Sequence, residues 1–316
     1  MAGVTDAAFR ARLKRNGCRA MWTDMISAAA MVRNHRNTLK MATPHECDGD
    51  TAVQLFGAKP SELGLAAQEL TRLGWRRIDL NMGCPVKKVV KSGSGAALMR
   101  NATLAKECMS AVRENTDAIF TVKIRLGWNA PEENYLEIGG LAQEAGVDGV
   151  IIHGRTRSQL YGGEADWGQI GMLAKSLAIP VAGNGDIRSA AGAVERLEKE
   201  PVSAVMIGRA ALEKPWLFRD AALLLDGQCV LGAPSPQEVA EDLGLQLADM
   251  LKLKSERAAV AEMKKFVAWA LKGFEGAAAL RKTVMTIDSA GGMEEMLEMI
   301  SNLSHIGADA PSGGAA

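Results

Sequence analysis

Short runs of β-branched and apolar residues recur along the chain, each followed by a stretch of helical periodicity. The runs fall at 21–26, 51–57, 76–83, 120–127, 149–155, 179–186 and 204–210, with starts 30, 25, 44, 29, 30 and 25 residues apart. A period near 30 in which strand and helix alternate predicts βαβ units in a parallel sheet. Helices are expected over 61–73 and over 136–145, the latter followed by Gly146 as a C-terminal cap. Seven strands suit a doubly wound sheet, whereas a closed barrel of this kind needs eight. Thr5 or Asp6 reads as a helix cap, so residue 1 stands where a strand should just have ended. The expected fold is α/β, a (β/α)8 TIM barrel whose first strand lies upstream of residue 1. The other reading makes Met1 a genuine start and closes the sheet differently.

The pattern changes after residue 225. Gly227, Gly232, Pro234, Ser235 and Pro236 mark residues 225–236 as a linker, and Ser235, Pro236 and Glu238 form a capping box with proline at the first helical position. From there to residue 303 the periodicity is helical, with breaks expected near 273–276 and 291–292. The expected organisation is a barrel domain over 1–228, a helical domain over 236–305, and a small, polar, disordered tail over 306–316.

Composition narrows the function. Among 316 residues, 37 Lys and Arg balance 37 Asp and Glu, so a uniformly basic nucleic-acid coat is excluded while a local basic patch is not. Aromatic residues at 4% argue against a surface that stacks many bases. No apolar run approaches the roughly 18 to 20 residues that span a bilayer, and the first residues lack a signal-peptide core. Cys18, Cys47, Cys84, Cys108 and Cys229 are widely spaced without a C-x-x-C pair. They read as reduced thiols of a cytoplasmic protein, not as a disulfide frame or a metal site.

Barrel active sites lie at the C-terminal strand ends, with phosphate often held after the last two strands. Here those strands end in Gly183-Asn184-Gly185-Asp186 and Ile207-Gly208-Arg209. Glycines allow close backbone approach and Arg209 offers paired donors, which suits a phosphorylated ligand. The same glycines would serve equally in tight βα turns. Gln54, Lys123, Arg125, His153 and Arg155 make the other strand ends unusually polar, which suggests one shared, ligand-filled site. In Asp79-Leu80-Asn81-Met82-Gly83-Cys84-Pro85, Asn81 closes a strand and Cys84 stands on a turn that Pro85 stiffens. Most cysteines merely fill cores, but a strand-end thiol is a candidate for chemistry. The 44-residue interval then carries Lys87, Lys88, Lys91 and Arg100 with no acidic residue over 86–100, a flexible basic loop suited to a polyanion or an ordinary solvated one. Residues 250–290 add eight basic against four acidic residues.

Seven motifs in order resemble those of bacterial tRNA-dihydrouridine synthases. They begin with Met1-Ala2-Gly3-Val4-Thr5-Asp6 and Val53-Gln54-Leu55-Phe56-Gly57, and continue with the Asp79 to Pro85 segment and Val122-Lys123-Ile124-Arg125-Leu126-Gly127-Trp128. His153-Gly154-Arg155-Thr156, Gly183-Asn184-Gly185-Asp186-Ile187 and Met206-Ile207-Gly208-Arg209-Ala210 complete the set. Residues 162–167 and Lys87-Lys88-Val89 look closest to the B-type branch.

The resemblance implies an FMN enzyme that uses NADPH to reduce uridine in tRNA, in the cytoplasm, with no stable protein partner. By that resemblance Met1, Ala2, Gln54, Lys123 and His153 surround the flavin ring and ribityl chain. Asn184, Gly185, Asp186, Gly208 and Arg209 hold the ribityl and phosphate end. Cys84 is the general acid, Asn81 and Arg155 face the uracil, and Lys87, Lys88 and Lys91 face the RNA. The chemistry suits these residue types, since hydride from flavin to C6 leaves C5 needing a proton and a thiol is mostly protonated at neutral pH. Family members normally carry a strand and a proline ahead of the Met-Ala pair, so a protein starting at Met1 is expected to hold FMN poorly. Two other readings are a flavin-dependent dihydroorotate or dihydropyrimidine dehydrogenase, disfavoured by the basic loop and helical domain, and a flavin-poor tRNA-binding protein.

Overall fold

In the computed structural model the described residues are 3–272, 274 and 277–303. Eight strands form one parallel sheet: β1 (Met21–Trp22), β2 (Ile26–Ser27), β3 (Thr51–Phe56), β4 (Arg77–Asn81), β5 (Ile119–Arg125), β6 (Gly149–His153), β7 (Val181–Asn184) and β8 (Ala204–Met206). Their order is β1-β3-β4-β5-β6-β7-β8, with β2 also paired to β3. Neighbours in sequence are neighbours in space, as in a (β/α)8 barrel, and helices flank the strands.

The seven expected runs are all strands, but the first is not continuous. It divides into β1 and β2 because residues 23 and 24 turn their polar side chains to other tasks. Thr23 Oγ1 accepts the Gln54 N–H at 3.0 Å, and Asp24 Oδ1 accepts the Thr5 N–H at 3.2 Å and the Thr5 hydroxyl at 2.8 Å.

The chain forms two compact units, Met1–Arg10 with Cys18–Gly208, and Ala11–Gly17 with Arg209–Ala316. The division falls at Gly208, ahead of the boundary at 228 expected from composition. The glycines and prolines of 225–236 instead make a turn inside the second unit, where Arg219 Nη2 donates to the Gly232 carbonyl at 2.8 Å.

The first unit carries α1 (Ala7–Arg15, as far as Arg10), α2 (Ala28–Val32), α3 (Arg36–Ala42), α4 (Pro60–Arg72), α5 (Lys87–Lys91), α6 (Ala102–Glu114), α7 (Tyr135–Glu144), α8 (Trp167–Ser176) and α9 (Ala190–Lys199). Helix α4 shows why these segments fold as they do. Pro60 starts it, and Leu63, Ala66, Ala67 and Leu70 recur at helical spacing and are fully buried. The sheet supplies Val53, Leu55, Ile78, Leu80, Val122, Ile124 and Ile152, all without solvent exposure. Gly183 admits the Trp167 ring, whose nearest atom would lie 2.4 Å from an added Cβ.

The second unit carries α10 (Ala210–Glu213), α11 (Leu217–Leu225), α12 (Pro236–Leu253), α13 (Glu256–Ala270), α14 (Ala277–Thr286) and α15 (Ala290–Ser301). The capping box at α12 forms as its sequence predicts, Ser235 Oγ accepting the Glu238 N–H and Glu238 accepting the Ser235 N–H at 2.7 Å. The break expected near Gly291 and Gly292 falls just ahead of them, between the end of α14 at Thr286 and the start of α15 at Ala290. Both glycines lie in the first turn of α15, where Ser289 caps the Gly292 N–H. The break expected at 273–276 lies largely, and the tail at 306–316 wholly, outside the described residues. Leu243, Leu247 and Met250 of α12 form the apolar core with Met263 and Phe266 of α13 and Met293 and Ile300 of α15.

An ion pair is sealed inside the first unit. Arg10 holds both Asp48 oxygens, at 2.6 and 2.7 Å, and its remaining nitrogen reaches the Thr5 carbonyl at 2.6 Å. Asp48→Ala would strand that buried guanidinium and is expected to cost about 3–5 kcal/mol. Urea denaturation checks this, and a loss below about 1 kcal/mol would contradict it.

Candidate active site

Strand alternation sends residues two apart to one side of the sheet. On β3, β4 and β5 that side presents Gln54, then Asp79 and Asn81, then Thr121, Lys123 and Arg125, between apolar neighbours that enter the core. The register places Gln54 beside Asp79, Asp79 beside Thr121, and Asn81 beside Lys123. His153 and Asn184 end β6 and β7 and are register partners. The strands thus gather the polar residues into one band near their C-terminal ends.

The band is a hydrogen-bonded network. Asp79, wholly buried, accepts Gln54 Nε2 at 2.7 Å on one oxygen and the Thr121 hydroxyl at 2.6 Å on the other. Asn81 Nδ2 donates to Gln54 Oε1 at 3.0 Å. Asn81 Oδ1 accepts the N–H groups of Gly83 at 3.2 Å and Cys84 at 2.9 Å. The Cys84 turn is therefore hung from the end of β4, and Arg125 Nε clamps the Gly83 carbonyl at 2.8 Å.

Gly95 supports the turn from the other side. Its φ of +61° is left-handed, and an added Cβ would lie 2.7 Å from the Cys84 carbonyl oxygen, which accepts the Ala96 N–H. Residues 86–100, expected as a flexible loop, are instead folded. Lys87–Lys91 forms helix α5 over the buried Val89, and Gly95–Arg100 forms a 3-10 helix. Lys87, Lys88 and Lys91 are exposed on it.

Lys123 Nζ donates to Asn184 Oδ1 at 3.0 Å, and Asn184 Nδ2 donates to the Met206 carbonyl at 2.8 Å. Burial, then repulsion from Arg125, pulls the Lys123 ammonium down to about 8, against the attraction of Asp79. Burial pushes the Asp79 carboxyl up, opposed by the hydrogen bonds from Thr121 and Gln54. Arg125 falls to about 10 through burial, although nearby Tyr161 and Cys84 favour its charge.

A second cluster follows β6 and β7. Arg155, 1% exposed, donates to Asp186 Oδ2 at 2.6 Å, to the carbonyls of Gly162 and Gly163, and to His153 Nε2 at 3.3 Å. A guanidinium only donates, which assigns the lone pair to His153 Nε2 and the proton to Nδ1. Burial raises Asp186, but the Arg155 hydrogen bond and the Ala165 N–H outweigh it and hold the carboxyl low.

Of the residues singled out in the sequence, Gln54, Asn81, Cys84, Lys123 and Asn184 come together in or beside the first network, and His153, Arg155 and Asp186 form the second. Gly185 contacts the chain itself, since a Cβ there would lie 2.3 Å from that of Ala165. At Gly208 an added Cβ would meet Asn184 Nδ2 only at 3.9 Å. Arg209 opens the second compact unit, and Met1 and Ala2 lie outside the described residues. Asp79 was missed as a site residue, while Thr121 supports it from outside the site. The signal for Asp79 was a carboxylate between Ile78 and Leu80 in a strand that reads as buried, where an acidic group needs a purpose.

The family model for dihydrouridine synthases matches residues 1–305. The chain belongs to this family. Its members are flavin-dependent oxidoreductases that reduce uridine in tRNA. The tRNA-dihydrouridine synthase B of Pseudomonas aeruginosa is 37% identical over 282 residues, 89% of this chain and 85% of that one. A probable tRNA-dihydrouridine synthase of Rickettsia conorii is 35% identical, covering 94% of this chain and 90% of its own. An old yellow enzyme homologue from Zymomonas mobilis superposes with a TM-score of 0.51 at 9% identity, over 73% of this chain and 86% of that one, and so shares the fold.

Lys123 gives a pH prediction. Its proton leaves at about 8 in the folded chain and near 10.5 in the unfolded one, so the unfolded state holds more protons between those values. Stability relative to Lys123→Met is expected to rise by up to about 3 kcal/mol from pH 8 to 10.5. Urea titrations of flavin-free protein across that range check it, and a constant difference between the two proteins would contradict it.

Proposed function

We propose that this protein is an FMN-dependent tRNA-dihydrouridine synthase of the B-type branch, reduced by NADPH, with Cys84 as its general acid. The carrying observation is the Cys84 turn, fixed by Asn81 and Arg125 at the end of β4 beside a band of cationic and amide groups. The donor set suits a flavin. Lys123 is a cation buried beside the Asn184 amide oxygen, Gln54 and Asn184 are amides, His153 is a ring, and a side chain at Gly208 would touch Asn184. Bound FMN would supply hydride to C6 of the uracil ring.

The chain does the rest. Gln54, Lys123 and His153, with Met1 and Ala2, hold the flavin ring and ribityl chain. Asn184, Gly185, Asp186, Gly208 and Arg209 hold its ribityl and phosphate end. In this reading Asp186 serves mainly through Arg155, which it braces by a 2.6 Å bond. Asn81 and Arg155 shape the space for uracil. Cys84 Sγ gives its proton to C5 as the C5=C6 bond is saturated, and the thiolate is reprotonated from solvent.

The target base must leave its stack to reach strand ends in a barrel mouth, so recognition rests on RNA shape and backbone. Lys87, Lys88 and Lys91 are exposed on α5, a few residues beyond the thiol, and would meet phosphates. Substrate and reductant both place the enzyme in the cytoplasm. Among the described residues no helix is long and apolar enough to cross a membrane.

The test compares dihydrouridine position by position in tRNA from wild type, a deletion strain, and the deletion carrying Cys84→Ala. Dihydrouridine should vanish from a defined position in the deletion. Cys84→Ala should slow uridine reduction about 10²–10⁴-fold while leaving flavin reduction by NADPH intact. Unchanged dihydrouridine at every position in the deletion would overturn the assignment.

A further inference from the structure

Asp79 is a fully buried acid, two residues before Asn81 on the same strand and five residues from the thiol, and the chemistry above gives it no task. Among the described residues no cation forms a salt bridge to it within bonding distance, and its hydrogen-bond partners in the band are neutral. An apolar residue would fill this position at less cost, so stability alone does not account for a carboxylate here.

What the carboxylate imposes is direction. Asp79 accepts at Oδ2 whether it is ionised or carries a proton on the oxygen facing Thr121, so Gln54 must present its NH2 group to it. Gln54 must then turn its carbonyl toward Asn81, which spends its own NH2 there. Only Asn81 Oδ1 is left for the N–H groups of Gly83 and Cys84. If both amides flipped, Asn81 would set an NH2 against two N–H donors and the turn would lose its anchor. Thr121 holds the other Asp79 oxygen and stands outside this series.

We infer that Asp79 is a positioning residue, which fixes the amide orientations of Gln54 and Asn81 and through them the placement of the Cys84 thiol. The inference deepens the proposed function, because the thiol it places is the proposed acid. Its physical content, the order of the Cys84 turn, can be measured without that activity.

The experiment uses full-length protein with its flavin as purified, and two readouts. Iodoacetamide alkylation of Cys84 is followed by peptide mass spectrometry, with exposed Cys229 as the internal reference. The oxidation of pre-reduced enzyme by tRNA is followed by flavin absorbance. Asp79→Leu should raise the Cys84:Cys229 alkylation ratio at least about fivefold and slow the tRNA step about 10- to 100-fold, with reduction by NADPH changed less than about threefold. Asp79→Asn can still accept from Gln54 while donating to Thr121, and should restore both readouts to within about threefold of wild type. Thr121→Val removes a hydrogen bond from the same carboxylate and should lower stability without moving either readout. Should Asp79→Leu not fold, Gln54→Met interrupts the series one step later and should raise the alkylation ratio equally.

An unchanged alkylation ratio in Asp79→Leu or Gln54→Met overturns the inference, as does an equal rise in Thr121→Val or no rescue by Asp79→Asn. A raised ratio in a protein that makes no dihydrouridine would keep the positioning role and defeat the proposed function.

Discussion

The site depends on one constraint, that polar groups enclosed between parallel strands must satisfy one another. Water cannot reach Asp79, so its oxygens take hydrogen bonds from Gln54 on one neighbouring strand and Thr121 on the other. Each bond uses up a donor and leaves an amide with one remaining option. The Cys84 turn is the end of that sequence of forced choices. A flexible loop would have presented the thiol in many orientations, and here the strand ends allow one.

The second network repeats the logic with charge. Arg155 is nearly inaccessible, yet every contact it makes is to an acceptor: two backbone carbonyls, one imidazole nitrogen and the Asp186 carboxylate. That arrangement organises the connection after β6 and gives His153 Nε2 the acceptor role toward Arg155. Two preorganised clusters on adjoining strands, one of them adjacent to a thiol, are what a barrel supplies to redox chemistry on a base. In a chain whose formal charges cancel, three exposed lysines stand together on α5.

Family and barrel were legible in the sequence because both leave linear traces. The near-30-residue strand period records βαβ units, and the motifs at the strand ends retain their order. The capping box at Ser235 was legible for the same reason, since its partners are three residues apart. Where reading failed, the physics was non-local. Residues 86–100 look like a loop by their glycines, serines and lysines, yet Val89 enters the interior and Gly95 lets two backbone segments meet. Gly185 has a packing role that its motif does not show, since its missing Cβ makes room for Ala165. The linker at 225–236 was a correct turn in the wrong place, because only packing shows that α10 and α11 side with the helices that follow.

The sequence by itself determined where the strand runs fall, the alternation that turns Gln54, Asn81, Lys123 and His153 toward one band, the thiol beyond β4, and the family. These follow from residue type and spacing along one chain. Only the tertiary structure decided which polar groups meet. It joined Asp79 to Gln54 and Thr121, paired Asp186 with Arg155, and drew the unit boundary at Gly208. Those partners are 25, 42 and 31 residues apart, and no local preference encodes a hydrogen bond across such distances. Register between strands does, once the sheet has formed.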